Sequence, residues 1–94
     1  MKFEWDEVKR RLNLEKHGVD FMDVAAFWES HQVVDEDLRD DYAERRWISY
    51  GLLRRRVMAL AYTIRNDCVR VISFRKANIR EVVKYDQAIQ RCRT

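Results

Sequence analysis

Proline is absent from this 94-residue sequence, and glycine occurs only at 18 and 51. With so few residues that break or sharply turn a chain, regular elements are expected over most of its length. Cysteine is equally scarce. Cys68 lies in an apolar run and Cys92 in a basic tail, which makes neither a disulfide framework nor a zinc spacing, so both read as free thiols. No apolar run approaches the roughly 18 residues of a membrane span. The opening Met1-Lys2-Phe3-Glu4-Trp5-Asp6 lacks the apolar core of a signal peptide, so a cytoplasmic protein with no membrane partner is expected. The shortage of glycine excludes a phosphate-cradling loop. His31 stands alone, and no His, Cys or carboxylate group has metal-ligand spacing, so no metal and no cofactor is predicted. No serine or cysteine stands beside a histidine in a nucleophile pattern, which leaves acyl transfer unsupported.

What is present is apolar enough to fold, at 47% hydrophobic residues, and short enough for a single domain spanning 1–94. The net charge of +3 conceals a strong polarity. Residues 1–44 hold six Lys/Arg and thirteen Asp/Glu, a balance of −7, whereas residues 45–94 hold thirteen and three, a balance of +10. The basic half suits phosphate groups. The same pattern also arises when charges merely solvate a mixed surface.

Alternation in Lys2–Trp5 predicts a short strand. Asp6 is a candidate N-cap for a helix to His17, with Val8 and Leu12 on its apolar face and Gly18 as the left-handed C-cap. Asp20 reads as a second N-cap, for a helix to about Trp28 with Phe21, Val24, Ala25 and Trp28 inward. Gln32–Val34 is a candidate strand, and the acidic stretch 35–44 an exposed loop or strand edge. Strands follow at Arg45–Leu53, Val57–Ile64 and Cys68–Phe74, joined by turns at Arg54-Arg55-Arg56 and Arg65-Asn66-Asp67. Val57–Ile64 is apolar on both faces, as a central covered strand should be. A helix from Lys76 to about Arg91 carries Ile79, Val82, Val83 and Ile89 as its stripe. The fold class is α+β, with N-terminal helices and a C-terminal helix packed on an antiparallel sheet.

A cationic and aromatic constellation remains once these elements are placed. It comprises Lys16 and His17 at a helix end, Arg45 and Arg46 at a strand start, Arg70 inside the last strand, Arg75 and Lys76 at the strand-to-helix junction, and Arg80, Lys84 and Tyr85 on the last helix. Arg70, between Val69 and Val71, must reach solvent, an acid or a ligand phosphate.

The order and spacing of several pieces make the sequence resemble the BrnT toxin family over about residues 3–85. These pieces are Phe3-Glu4-Trp5-Asp6, Lys9, Asn13, Lys16-His17-Gly18-Val19, Phe21, Glu44-Arg45-Arg46-Trp47, Gly51, Ala61-Tyr62-Thr63, Ile72-Ser73-Phe74-Arg75-Lys76-Ala77, Glu81 and Tyr85. Two departures stand out. Phe74 occupies a common alanine position, which either enlarges the core or narrows a site beside Arg75. Arg54-Arg55-Arg56 replaces a commonly glycine-bearing hairpin, adding either phosphate contacts or solubility.

The resemblance implies a RelE-like fold and ribonuclease toxicity. It also implies pairing with a BrnA-like antitoxin that carries a ribbon-helix-helix domain, operator DNA being met only through that complex. RNA is cut without metal when the 2′-hydroxyl attacks the adjacent phosphate, given a base, an acid and cations. On that reading His17, Arg75, Lys76, Glu81 and Tyr85 are the catalytic candidates, and Lys16, Arg45, Arg46, Arg70 and Arg80 the RNA-binding ones. The helix-end position of His17 favours its protonated form, hence an acid. Equally, a histidine before a C-cap glycine serves to hydrogen-bond helix carbonyls. A noncatalytic nucleic-acid-binding or regulatory protein is the alternative.

Overall fold

The computed structural model describes residues 1–92. It contains, in chain order, β1 (Lys2–Glu4), α1 (Glu7–His17), a 3-10 turn (Phe21–Asp23), α2 (Val24–Trp28), β2 (Val33–Glu36), β3 (Trp47–Leu53), β4 (Arg56–Arg65), β5 (Cys68–Lys76) and α3 (Ile79–Cys92). The expected caps are in place. Asp6 accepts from the Val8 amide at 2.8 Å and Asp20 from the Met22 amide at 3.0 Å. Gly18 closes α1 at φ 70°.

The five strands form one sheet in the order β1-β5-β4-β3-β2. From β2 to β5 it is the antiparallel meander the sequence predicts. β1 departs from that expectation by pairing in parallel with β5, Lys2 opposite Cys68 and Glu4 opposite Arg70. β4 already occupies one edge of β5, so the N-terminal strand takes the other, and α1 carries the chain onward along it to bring Asn13 to Phe74. The β3–β4 and β4–β5 hairpins turn in two residues, Arg54-Arg55 and Asn66-Asp67, all four in the left-handed region.

The larger core lies between one sheet face and the segment from Val19 through α2. Val19, Phe21, Val24 and Phe27 meet Met58, Leu60, Tyr62, Val69, Val71 and Phe74 there. Phe74 is fully buried, with its ring 5.2 Å from Phe27 edge to face, so it enlarges the core. α3 covers the opposite face, where Tyr85, Val82 and Ile89 pack with Tyr50, Val57 and Ala59.

Two helix faces differ from expectation. Val8 and Leu12 are exposed, and the buried residue of α1 is Asn13, because this helix lies along a sheet edge rather than flat on apolar surface. On α3, Ile79 and Val83 point to solvent, since Tyr85 takes the central place between Val82 and Ile89. The acidic stretch is not wholly a solvated loop either. Asp35 and Glu36 end β2, and Asp37 is buried, gripped by Arg39 through Nε and Nη2 at 2.8 and 2.9 Å and holding its pKa at about 2.

Candidate active site

One irregularity decides which way the site residues face. Ala61 pairs with Ser73 while Tyr62 pairs with Val71, so Ile72 is an extra residue on β5. A strand turns successive side chains to opposite faces, and one added residue reverses the alternation. Val69 and Val71 therefore point into the large core, but beyond the bulge Phe74 does so. Arg75 is thereby turned to the α3 side.

There the Arg75 guanidinium meets the Glu81 carboxylate side by side, Nη1 to Oε1 at 2.7 Å and Nη2 to Oε2 at 3.0 Å. Glu81 also accepts from the Asn78 amide at 2.9 Å and from the Tyr50 hydroxyl at 3.3 Å. Asn78 Oδ1 accepts in return from the Glu81 amide at 2.9 Å, a reciprocal cap on the start of α3. The Arg75 hydrogen bonds, opposed in part by burial, hold the Glu81 carboxyl below the usual carboxylate range. The Glu81 carboxylate thus takes part in four hydrogen bonds. Arg75 donates once more, to the Lys76 carbonyl at 3.4 Å. Of its five N–H groups, one on Nε and one on Nη2 are left for a ligand.

α1 reaches the same corner through Asn13. The side chain Nδ2 donates to the Phe74 carbonyl at 2.7 Å and the Val19 carbonyl at 3.0 Å, while the Phe74 amide donates to Oδ1 at 3.2 Å. The carboxamide stands in for a neighbouring strand where β1 no longer covers β5. His17 lies one helical turn further on the same side of α1, beside Ser73 and Ile72. It is half-buried. Burial first, then the charges of Lys16 and Arg75, push its pKa below the ordinary 6.5. Where the helix-end carbonyls favour the protonated imidazole, desolvation and the two cations thus favour the neutral one. Lys76 lines one cleft with Gly18, the residue after His17, which brings the β5–α3 junction to the end of α1.

Lys16 and Lys76 are exposed at that corner without an ion pair among the described residues, and Arg80 is exposed in the first turn of α3. The other candidates lie elsewhere. Tyr85 is buried and its hydroxyl donates to the His31 carbonyl at 2.7 Å, which commits it to packing. Arg45 grips Glu36 with two 3.0 Å bonds and lies 4.6 Å from the Trp47 ring. Arg46 lies 4.0 Å over Tyr42. Arg70 is 3.8 Å from Glu4. Arg70 pairs with Thr63 and Arg75 with Ala59, so the two arginines are about 17 Å apart along the strand. Arg45, Arg46 and Arg70 thus belong to the opposite end of the sheet and do not join His17.

Two contributors were only partly legible in the sequence. Asn13 entered only as part of a motif, although an amide four residues before a helix-end histidine marks the same face. The Arg54–Arg56 turn shares clefts with Lys76 and Gly18, a neighbourhood that only the sheet register reveals. Among the described residues no group of three or more His, Cys, Asp or Glu is arranged to hold a metal ion. The arrangement offers a neutral imidazole, an oriented guanidinium and free ammonium groups, which together fit the handling of a phosphodiester.

A family profile described as "Ribonuclease toxin, BrnT, of type II toxin-antitoxin system" matches residues 5–81. No curated protein matches the chain.

Proposed function

This chain belongs to the BrnT family of ribonuclease toxins of type II toxin–antitoxin systems, and we propose that it is a metal-independent endoribonuclease whose site is the corner shared by His17, Arg75 and Lys76. Neutral His17 removes the proton of a 2′-hydroxyl, whose oxygen then bonds to the adjacent phosphorus. The two free N–H groups of Arg75 and the Lys76 ammonium face the charge that accumulates on the phosphate oxygens. The bond to the 5′-oxygen breaks, and that oxygen takes a proton from the Lys16 or Lys76 ammonium. The products are a 2′,3′-cyclic phosphate and a free 5′-hydroxyl. Glu81 does not touch the reacting atoms; it fixes the plane of Arg75.

The observation that carries this reading is geometric: Asn13 pins α1 to the backbone of Phe74, the residue before Arg75, and Lys76 lines one cleft with Gly18, the residue after His17. The partner implied by the family is a protein antitoxin. We assign it the BrnA ribbon-helix-helix type, neutralising the toxin by covering the cationic corner and joining it in repression of their operon. Cleavage of cellular RNA in the cytoplasm would arrest translation and growth.

Purified protein incubated with RNA in EDTA tests the reaction. Fragments with cyclic phosphate ends are expected, and His17→Ala and Arg75→Ala should lose them while keeping the circular dichroism spectrum. A gel shift without fragments would make the chain a binder instead, and parent-rate cleavage by both variants would remove the assigned site.

A further inference from the structure

Three clefts follow one another around the end of the sheet that carries His17. The first is lined by Lys9, Lys16 and His17. The second begins at Gly18, the next residue, and passes Arg54, Arg56 and Lys76. The third shares Arg54, Arg56 and Lys76, adds Arg55, and has Leu52 and Val57 on its floor. Its volume of about 680 Å³ lies within the roughly 300–1,000 Å³ of ligand sites. From these shared linings we propose that single-stranded RNA runs along the series, with the scissile phosphate at His17 and the flanking nucleotides held by the Arg54–Arg56 turn. The proposal rests on the reading of the chain as an RNA-cutting enzyme.

Charge, shape and backbone strain agree on this occupant. Seven cationic or titratable side chains border the series, against Asp23 and Asp86 as its acids. Asp23 is met by Arg54 at 3.3 Å, whereas Arg55 and Arg56 make no ion pair among the described residues. A cationic rim over an apolar floor suits a strand whose bases are unpaired, with phosphates on the arginines and a base against Leu52 and Val57. The turn itself is unfavourable for its residues. Arg54 and Arg55 hold φ at 49° and 68°, where Asn-Gly is the preferred pair. Strain of this kind persists where the side chains have a use.

The test is the affinity of a short fluorescent 2′-O-methyl single-stranded RNA, which cannot be cut, read by anisotropy over a range of salt. Arg55→Gln/Arg56→Gln should bind about ten-fold more weakly or worse. It should also lower the salt slope by about 1.4, since each single-strand phosphate contact contributes about 0.7. Arg54→Asn/Arg55→Gly should melt a few degrees higher, because it relieves the turn, and yet bind RNA more weakly. That combination separates lost binding from lost folding. Lys2→Gln/Arg65→Gln removes two charges from the opposite end and should keep the parent slope.

Parent affinity and slope in Arg55→Gln/Arg56→Gln would overturn the track while leaving cleavage at His17 standing. A reduced slope in that variant, with no cleavage by the parent on ordinary RNA, would keep the track and remove the enzyme. A parent protein that binds no RNA would remove both.

Discussion

Asn13 completes the edge of β5 by exchanging hydrogen bonds with both backbone groups of Phe74, 2.7 Å to the carbonyl and 3.2 Å from the amide. A third bond, to Val19, ties down the turn that leaves α1. The pairing fixes the position of the whole helix against the strand, and through it the distance from His17 to Arg75.

Asn13→Ala leaves these buried backbone groups without partners. At about 1–3 kcal/mol for each of the three unsatisfied groups, a loss of at least about 3 kcal/mol is expected, read as a lower urea midpoint with an unchanged slope. Asn13→Asp should be nearly as damaging, since a carboxylate has no N–H for the Phe74 carbonyl. A midpoint indistinguishable from the parent in both would show that the edge needs no closing.

Glu81→Gln separates the cap from the clamp. Glutamine still accepts from the Asn78 amide, so α3 should start normally. The guanidinium loses its charged partner, and RNA cleavage should fall about 10- to 100-fold through misplacement of Arg75. The loss should appear in kcat more than in KM. Arg75→Lys should not recover activity, because an ammonium cannot bridge Glu81 and phosphate in one plane. Full activity in Glu81→Gln would assign the carboxylate to helix capping alone.

His17 acts as a base only when neutral, and its pKa lies below 6.5. Cleavage should therefore be level at neutral pH and fall on the acid side of 6.5. Lys16→Gln removes one of the charges depressing the pKa and should move that acid limb to higher pH. Stability follows the same sign: the unfolded chain binds the proton more readily, so stability is lost as pH drops from 6.5 through the folded pKa. His17→Gln should flatten that part of the melting-temperature profile. A rate that rises on acidification would make His17 the acid.

The two glycines should respond differently to alanine. At Gly51 a Cβ would stand 2.7 Å from Ser30 Oγ and 2.9 Å from the Phe27 ring. Ser30 cannot move aside, as its hydroxyl donates to the Phe27 carbonyl and accepts from the Leu52 amide. Gly51→Ala should cost about 1–3 kcal/mol by overpacking. Gly18 has open space around it, so Gly18→Ala should cost about 1–2 kcal/mol from its left-handed backbone alone. Thermal melts of the two variants compare them directly.

Local chemistry was legible in the sequence. Asp6, Asp20 and Gly18 mark their helix ends because capping needs only neighbouring residues. The apolar strands β4 and β5 announce themselves by composition and alternation. What distance along the chain conceals is which ends meet. Arg45 and Arg70 look as cationic as Arg75, yet the register sends them to the other end of the sheet, among Glu36 and Glu4. The inward face of α1 misled for a related reason: a helix on a sheet edge is held by an amide, and hydrophobic spacing then selects Val8 and Leu12, which face water. The bulge had a signature, since apolar residues at 69, 71 and 74 break the alternation by one. Tyr85 shows the limit of residue type as a guide, for its hydroxyl is used by the His31 carbonyl.

That broken alternation also sets what β5 will tolerate. Between Val71 and Phe74 the constrained quantity is the bulge itself: were the ladder to take Ile72 in as an ordinary strand residue, a guanidinium would turn into the hydrocarbon interior and a benzyl group out to the reaction corner in a single stroke. Ile72 can thus vary in kind, provided that it stays outside the ladder. A one-residue gap here in a related chain would therefore straighten the strand while leaving core and corner on their present sides.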